Sequence, residues 1–272
     1  MQNNRSILFP PVYTEDTGPA GGSVVQGLFH LKNGMPCQDA LFISSDLPGD
    51  PSVAMAVADG HGDKRHDLSH FGSSLAVHAA IDEMAEFNIW ISSMEGDPSF
   101  WSNFPRISTR RWRRYVRENS EFSSTDTDYT RYGTTLITAL ITPVMIYSAR
   151  IGDGNAVVVY KDGTTENIFR QSEFENGNVT NSLSSDDASL RWETKVFQRD
   201  ECAFIALFTD GLSDSFENVD EQELLIFVKS LYERIIEYGP EKISDLIPVW
   251  LCEFSDMGSG DDISLAFAVM ER

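Results

Sequence analysis

Acidic residues recur in four short motifs of this chain, and their type and setting suit the chemistry of metal ions. They are Asp39 in P-C-Q-D, Asp59 in V-A-D-G-H-G, Asp210 in F-T-D-G-L-S-D, and Asp261 with Asp262 in G-S-G-D-D-I-S. Carboxylates gathered in one place repel one another and resist ionisation, and a hard divalent cation such as Mg²⁺ or Mn²⁺ removes that penalty by taking oxygen ligands. Asp59-Gly60-His61-Gly62 is the densest of the four. It offers a carboxylate able to bridge two cations, a carbonyl unshielded by a side chain and an imidazole able to donate a proton, a set suited to metal-assisted hydrolysis. D-G alone is more simply a turn that ends a strand. D-G-H-G, D-G-L-S-D and G-D-D together outweigh that plainer account.

Acids so far apart in the sequence act together only if strands carry them to one point. Val53 to Ala58 leads into the second motif, Ala203 to Thr209 into the third, and Ile263 to Val269 follows the fourth; all three read as buried strands. Further strands are expected at Val24 to Phe29, Ala40 to Ser44, Thr134 to Ile141, Met145 to Ile151, Ala156 to Tyr160 and Trp192 to Phe197. Helical spacing of apolar residues predicts helices over 68–94, 100–122, 221–238 and 241–254. The order is strands, two helices, strands, two helices, strand. Tight turns between strands and paired helices predict an α+β fold of two antiparallel β-sheets packed as a sandwich, with pairs of α-helices on the outer faces. Residues 1–22 read as an irregular lead-in and 23–272 as one domain or two, with a polar flap insertion at 171–190.

Composition narrows the functions open to the chain. Its 272 residues are 41% hydrophobic, enough for a large core, and its net charge is −21, from 21 basic and 42 acidic residues. That balance argues against nucleic acid and membrane surfaces as partners, and it makes a phosphoester enzyme depend on positive charge at its own site. No apolar stretch is long enough to span a bilayer and the N-terminus lacks the order of a signal peptide, so a cytoplasmic location is expected. The three cysteines are scattered and never form C-x-x-C, as ordinary thiols would be. Six arginines crowd 106–117 among Trp112, Tyr115 and Val116. In so acidic a chain this reads first as a solvated helix face anchored by its aromatics, and second as a docking surface for protein. His66 and His70 have the spacing of a zinc pair, but H-E-x-x-H is absent and surface histidines are the ordinary explanation.

In order along the chain, Q-D, V-A-D-G-H-G, Y-G-T-T, I-G-D-G, T-D-G-L-S-D and G-D-D-I-S resemble the motif series of the metal-dependent protein phosphatases of the 2C type, from about Gly27 to Val269. The resemblance, to the bacterial serine/threonine enzymes among others, implies the same sandwich as a single domain over 23–272 and hydrolysis of phosphoserine or phosphothreonine in proteins, opposing a kinase. It implies that Asp59 bridges two Mn²⁺ or Mg²⁺ ions, that Asp210 and Asp261 hold the first, and that the Gly60 carbonyl and Gln38 hold the second. Asp153 resembles the acid that helps bind a weaker third cation. Asp39 would orient metal-bound water, Asp214 would support the Asp210 turn, and His61 would protonate the leaving oxygen after in-line attack by a hydroxide bridging the metals. Two positions depart from the pattern. Gln38 stands where the family usually has Glu, so looser binding of the second ion is expected, and the phosphate-gripping Arg is missing, with Lys32 or His30 as the substitutes at hand. Those departures keep open a noncatalytic phosphoprotein-binding or regulatory domain on the same fold, and a phosphatase for small phosphoesters is a third reading.

Overall fold

The computed structural model describes residues 19–93, 98–119, 127–169, 180–216 and 221–270. Among them, ten strands form two antiparallel sheets of five. The first sheet runs β1 (Ala20–Val25), β10 (Ile263–Val269), β9 (Cys202–Phe208), β6 (Asn155–Tyr160), β7 (Thr165–Asn167). The second runs β2 (Ala40–Ser44), β3 (Val53–Ala58), β4 (Leu136–Ile141), β5 (Met145–Ile151), β8 (Glu193–Gln198). The helices are α1 (Leu28–Asn33), α2 (Ser69–Ser93), α3 (Phe104–Asn119), α4 (Asp210–Ser213), α5 (Glu221–Tyr238), α6 (Pro240–Ser244) and α7 (Ile247–Met257).

The central strands are apolar throughout because both their faces are covered. Along β9, Ile205 and Leu207 enter the layer between the sheets, while Phe204, Ala206 and Phe208 meet α5 to α7 on the other side. Along β3, Met55 and Val57 face the other sheet and Ala54, Ala56 and Ala58 face α2 and α3. The period of two thus divides each strand between two cores. Each Ile, Leu or Val removed from water there contributes about 1.5–3 kcal/mol before the entropy of ordering is subtracted. The alanine face of β3 lets α2 lie close, and Trp112 of α3 reaches across to donate from its indole to the Gly72 carbonyl at 3.0 Å.

Four expectations need correction. The lead-in does not extend to Gly22, because β1 starts at Ala20 and pairs with β10 from Ala20↔Ala268 to Val25↔Ile263. Gly21 and Gly22 look like turn residues, but they serve close packing: a Cβ on Gly22 would lie 2.4 Å from the Leu265 carbonyl oxygen. The strand expected over Val24 to Phe29 ends at Val25, and the chain then turns helical in α1. The helix expected over 241–254 is two, α6 and α7, with Pro248 in the first turn of the second. His66 and His70 do not share a helix, since His66 ends a 3₁₀ turn and α2 begins at Ser69. The short edge strand β7 carries no periodic signal and was not expected.

Strand pairing brings the acidic motifs to one end of the sandwich. Ala40 at the start of β2 pairs with Ala58 at the end of β3, Leu136 with Ile151, and Phe208 at the end of β9 with both Asn155 and Leu265. Asp39, Asp59, Asp153, Asp210 and Asp261 each lie within four residues of one of these positions.

Candidate metal centre and active site

Asp59 leaves β3 with its backbone clamped by the Y-G-T-T segment. Its N–H donates to Thr135 Oγ1 at 3.0 Å, and its carbonyl accepts from Thr134 Oγ1 and the Thr135 N–H, both at 2.8 Å. Asp153 sits in the β5–β6 turn after Gly152, whose φ of 103° strains any residue with a side chain. Asp210 opens α4, where its carbonyl accepts the Asp214 N–H at 2.8 Å. These three elements converge, and ligand oxygens of Asp59, Asp153 and Asp210 lie within 4.8 Å of one another.

The surroundings of this trio fit a hard cation. Thr180 Oγ1 donates to Asp153 Oδ2 at 2.6 Å, which leaves Asp153 Oδ1 buried without a hydrogen-bond partner. Gln38 repeats the pattern: its amide nitrogen donates to Ser69 Oγ at 2.7 Å, and Oε1 is buried and unpartnered. Buried acceptors without donors are costly unless something supplies positive charge. The electrostatics agree. Burial, followed by Asp210, Asp39, Asp261 and Asp153, holds the Asp59 carboxyl well above the usual range. Asp210 is pushed up to about 7 by burial and by Asp153, Asp214 and Asp261. An all-oxygen donor set of this kind selects Mg²⁺, Mn²⁺ or Ca²⁺ over softer metals.

Asp261 and Asp262 divide into two roles. Asp262 is buried and ties three strand-end segments together: Oδ1 accepts from the Gly27 N–H at 2.6 Å, and Oδ2 accepts from the Gln38 N–H at 2.6 Å and from His30 Nδ1 at 2.7 Å. Asp261 is exposed, and its ligand oxygen groups with a ring nitrogen of His30 and an oxygen of Asp262 rather than with the Asp59 trio, although it lines the same cleft. Asp39 is buried beside the trio, where Oδ2 accepts from Thr209 Oγ1 at 2.8 Å; burial and Asp262 raise its pKa well above the usual range.

One cleft of about 730 Å³ collects these groups, with His30, Gln38, Gly60, His61 and Arg65 on its walls beside the acids. The His61 ring stands 4.9 Å from that of His66, whose Nδ1 donates to the Thr130 carbonyl. Burial, and then His66, lowers the His61 pKa to about 4 while Asp153 pulls the other way, so the free site holds a neutral imidazole at pH 7.

A protein-family model described as protein phosphatase 2C matches residues 26–248. The chain belongs to the protein phosphatase 2C family. It is 28% identical over 166 residues to the probable protein phosphatase 2C 35 of Arabidopsis thaliana, an alignment covering 61% of this chain and 37% of that relative. The chain therefore matches little more than a third of the length of that curated relative. Among solved structures, the serine/threonine phosphatase Stp1 from Staphylococcus aureus superposes with a TM-score of 0.61 at 16% identity, over 97% of this chain and 98% of that one. The catalytic domain of the serine threonine protein phosphatase PstP, in complex with two manganese ions, gives 0.58 at 16% identity over 92% and 96%. At such identities the likeness speaks for the fold.

On this protein phosphatase 2C fold, the expected site residues fare unequally. Asp59, Asp153, Asp210, Asp261, Gly60, His61, Gln38 and His30 all line the cleft, and Asp39 lies buried behind it. Lys32 does not line it. Residues two apart on a helix point about 200° from each other, so α1 turns His30 inward and leaves Lys32 exposed. Arg65 is the residue that sequence reasoning missed. It lines the cleft with Nε 3.0 Å from Asp63 Oδ1, in a D-K-R-H run that reads as ordinary surface charge. Thr180, Ser182, Ser184, Ser185 and Asp186 also line the cleft and belong to the expected flap; its residues 171–179 lie outside the described residues.

Proposed function

We propose that this chain hydrolyses phosphoserine and phosphothreonine esters in proteins, opposing a kinase, with Mn²⁺ or Mg²⁺ as cofactor. The observation that carries the reading is the convergence of Asp59, Asp153 and Asp210 beside His61, with the unpartnered Gln38 Oε1 in the same cleft. Asp59 would hold both cations, Asp210 and Asp261 the first, Gln38 and the Gly60 carbonyl the second, and Asp153 a weaker third. Bound cations would supply charge to offset the phosphoryl group and lower the pKa of water. Asp39, held by Thr209, orients water next to the trio. The 180–190 segment screens substrates at the cleft mouth, and the chain from β1 to β10 forms one domain.

His61 delivers the proton to the departing serine oxygen. Its ring is neutral in the free site, and the dianionic phosphate beside it draws the proton on. An alkoxide needs that proton far more than a nitrophenolate does. His61→Asn should therefore slow a phosphopeptide by about 10²–10⁴-fold and slow p-nitrophenyl phosphate much less. Equal losses on both substrates would remove His61 from this role.

Arg65, rather than Lys32, takes the place of the missing phosphate-gripping arginine. Its fork suits two phosphate oxygens and its pairing with Asp63 is solvent-exposed, so little is lost in exchanging partners. Arg65→Ala should raise KM for a phosphopeptide by roughly tenfold with a smaller effect on kcat. An unchanged KM would assign the grip to His30 instead.

A second reading rests on Gln38, which brings no charge to the second ion: a noncatalytic phosphoprotein-binding domain. Steady turnover of a phosphopeptide with added Mn²⁺, abolished by EDTA, decides between the two. Metal binding without turnover would favour the second.

A further inference from the structure

Next to the catalytic cleft lies a cavity of about 540 Å³ with the opposite charge. Its lining includes Arg106, Arg110, Arg111, Arg113, Arg114 and Arg117, all from α3. Six of the 21 basic residues of a chain with net charge −21 thus share one groove. Helix stability does not require this arrangement, because like charges one turn apart repel. Arg111 is neutralised by Glu83 and Glu86, at 2.8 Å each, and Arg114 Nε approaches Glu118 at 3.9 Å. Arg106 and Arg110 are exposed and have no ion pair among the described residues. Arg113 is held rigid: its Nη2 donates to the Ser185 carbonyl at 2.6 Å, its guanidinium lies 5.3 Å from the Tyr129 ring centroid, and its Nε is buried without a partner. Guanidinium groups so concentrated, with Arg106 and Arg110 lacking an ion pair among the described residues, call for an anion.

The groove adjoins the cleft, with Arg113 of the first bonded to Ser185 of the second. Tyr129 lines the groove and Thr130 the cleft, while Ser185 lines the cleft and Ser189 the groove. A polypeptide leaving the cleft can therefore enter the groove directly. We infer that the α3 groove binds an anionic segment of the substrate protein, carrying Asp and Glu or a second phosphoserine, on the same chain as the phosphoserine being hydrolysed. The inference rests on the phosphatase reading proposed above. Long-range repulsion from so acidic a protein makes a local basic docking surface the means of retaining a phosphorylated substrate. The same repulsion disfavours a nucleic acid, whose charge continues past the groove onto acidic walls such as Asp63, Asp186 and Asp261.

The test compares the unmodified protein with the double variant Arg106→Gln/Arg110→Gln and the charge-preserving Arg106→Lys/Arg110→Lys. Three fluorescein-labelled phosphoserine peptides are used, with a neutral tail, a glutamate tail or a second phosphoserine. Binding is read by anisotropy in EDTA, turnover with Mn²⁺, and p-nitrophenyl phosphate hydrolysis serves as the control. The anionic tails should improve both Kd and KM by about tenfold over the neutral tail, and the improvement should shrink as salt rises. The Gln variant should lose that gain, the Lys variant should keep most of it, and all three proteins should hydrolyse p-nitrophenyl phosphate alike. Equal affinity for the neutral and anionic tails overturns the inference, and so does an oligothymidylate that binds more tightly than either tail and displaces it. If no protein hydrolyses the aryl phosphate while the tails still bind through the arginines, the phosphatase reading fails and the groove stands. Hydrolysis without any effect of the tails removes the groove alone.

Discussion

Asp59→Asn should abolish Mn²⁺-dependent hydrolysis of an aryl phosphate, by a factor of about a thousand or more, and should at the same time stabilise the metal-free protein. The two effects share one cause. The Asp59 carboxylate is half-buried among Asp210, Asp39, Asp261 and Asp153, so ionised and without metal it meets repulsion from every side. Asn keeps the shape and discards the charge. Its backbone would stay in place, because Thr134 and Thr135 grip the Asp59 N–H and carbonyl rather than the side chain. With EDTA present, the melting temperature should rise by about 2–4 °C for each kcal/mol of repulsion relieved. With saturating Mn²⁺ the order should reverse, since the natural protein gains binding energy that the variant lacks. A variant that loses activity and is also less stable in EDTA would mean a damaged fold and would leave the charge argument unsupported.

The metal-free protein should also lose stability as pH rises from about 4 to about 7, the reverse of ordinary acid denaturation. The sign follows from Asp210. Its folded pKa of about 7 lies above the ordinary 3.8, so the folded state holds a proton that the unfolded chain has released throughout that interval. The favourable contribution is complete below the unfolded value and is lost as pH climbs through the folded one. A displacement of this size is worth about 4 kcal/mol, or a fall in melting temperature of roughly 10 °C. Asp59, Asp39 and Asp214 are displaced the same way. Saturating Mn²⁺ should flatten the curve, because cations take the place of the protons. Thermal denaturation across that pH range, with EDTA and with Mn²⁺, reads both effects. Parallel curves under the two conditions would show that the acids are not the source.

The acids were legible in the sequence because each adjoins an apolar strand, and short buried strands with polar ends carry an unambiguous signal. β5 and α5 were read to the residue for the same reason: unbroken apolar runs or helical spacing bounded by turn residues. Where packing outside the segment decides the conformation, the reading failed. Gly21 and Gly22 form a strand because Phe267 and Leu265 leave no room for side chains, and nothing local says so. Two residues separate α1 from the end of β1, and the opening Leu28-Phe29 of the helix looks like the end of a continuing strand. Within the site, Asp262 shows in the sequence only as part of G-D-D-I-S. Its task, joining Gly27, His30 and Gln38, depends on partners more than 220 positions away. Arg65 was illegible for the opposite reason, since a solvated arginine in a charged run gives no sign that a cleft lies beneath it.

The account depends on divalent cations held by Asp59, Asp210 and their neighbours. The most direct measurement is anomalous diffraction at the manganese edge from crystals grown with Mn²⁺. The account predicts strong peaks within coordination distance of the Asp59 and Asp210 carboxylates, with the Gln38 Oε1 turned toward one of them. Density showing the cleft free of manganese at saturating concentration, with those acids protonated and bonded to one another, would contradict it.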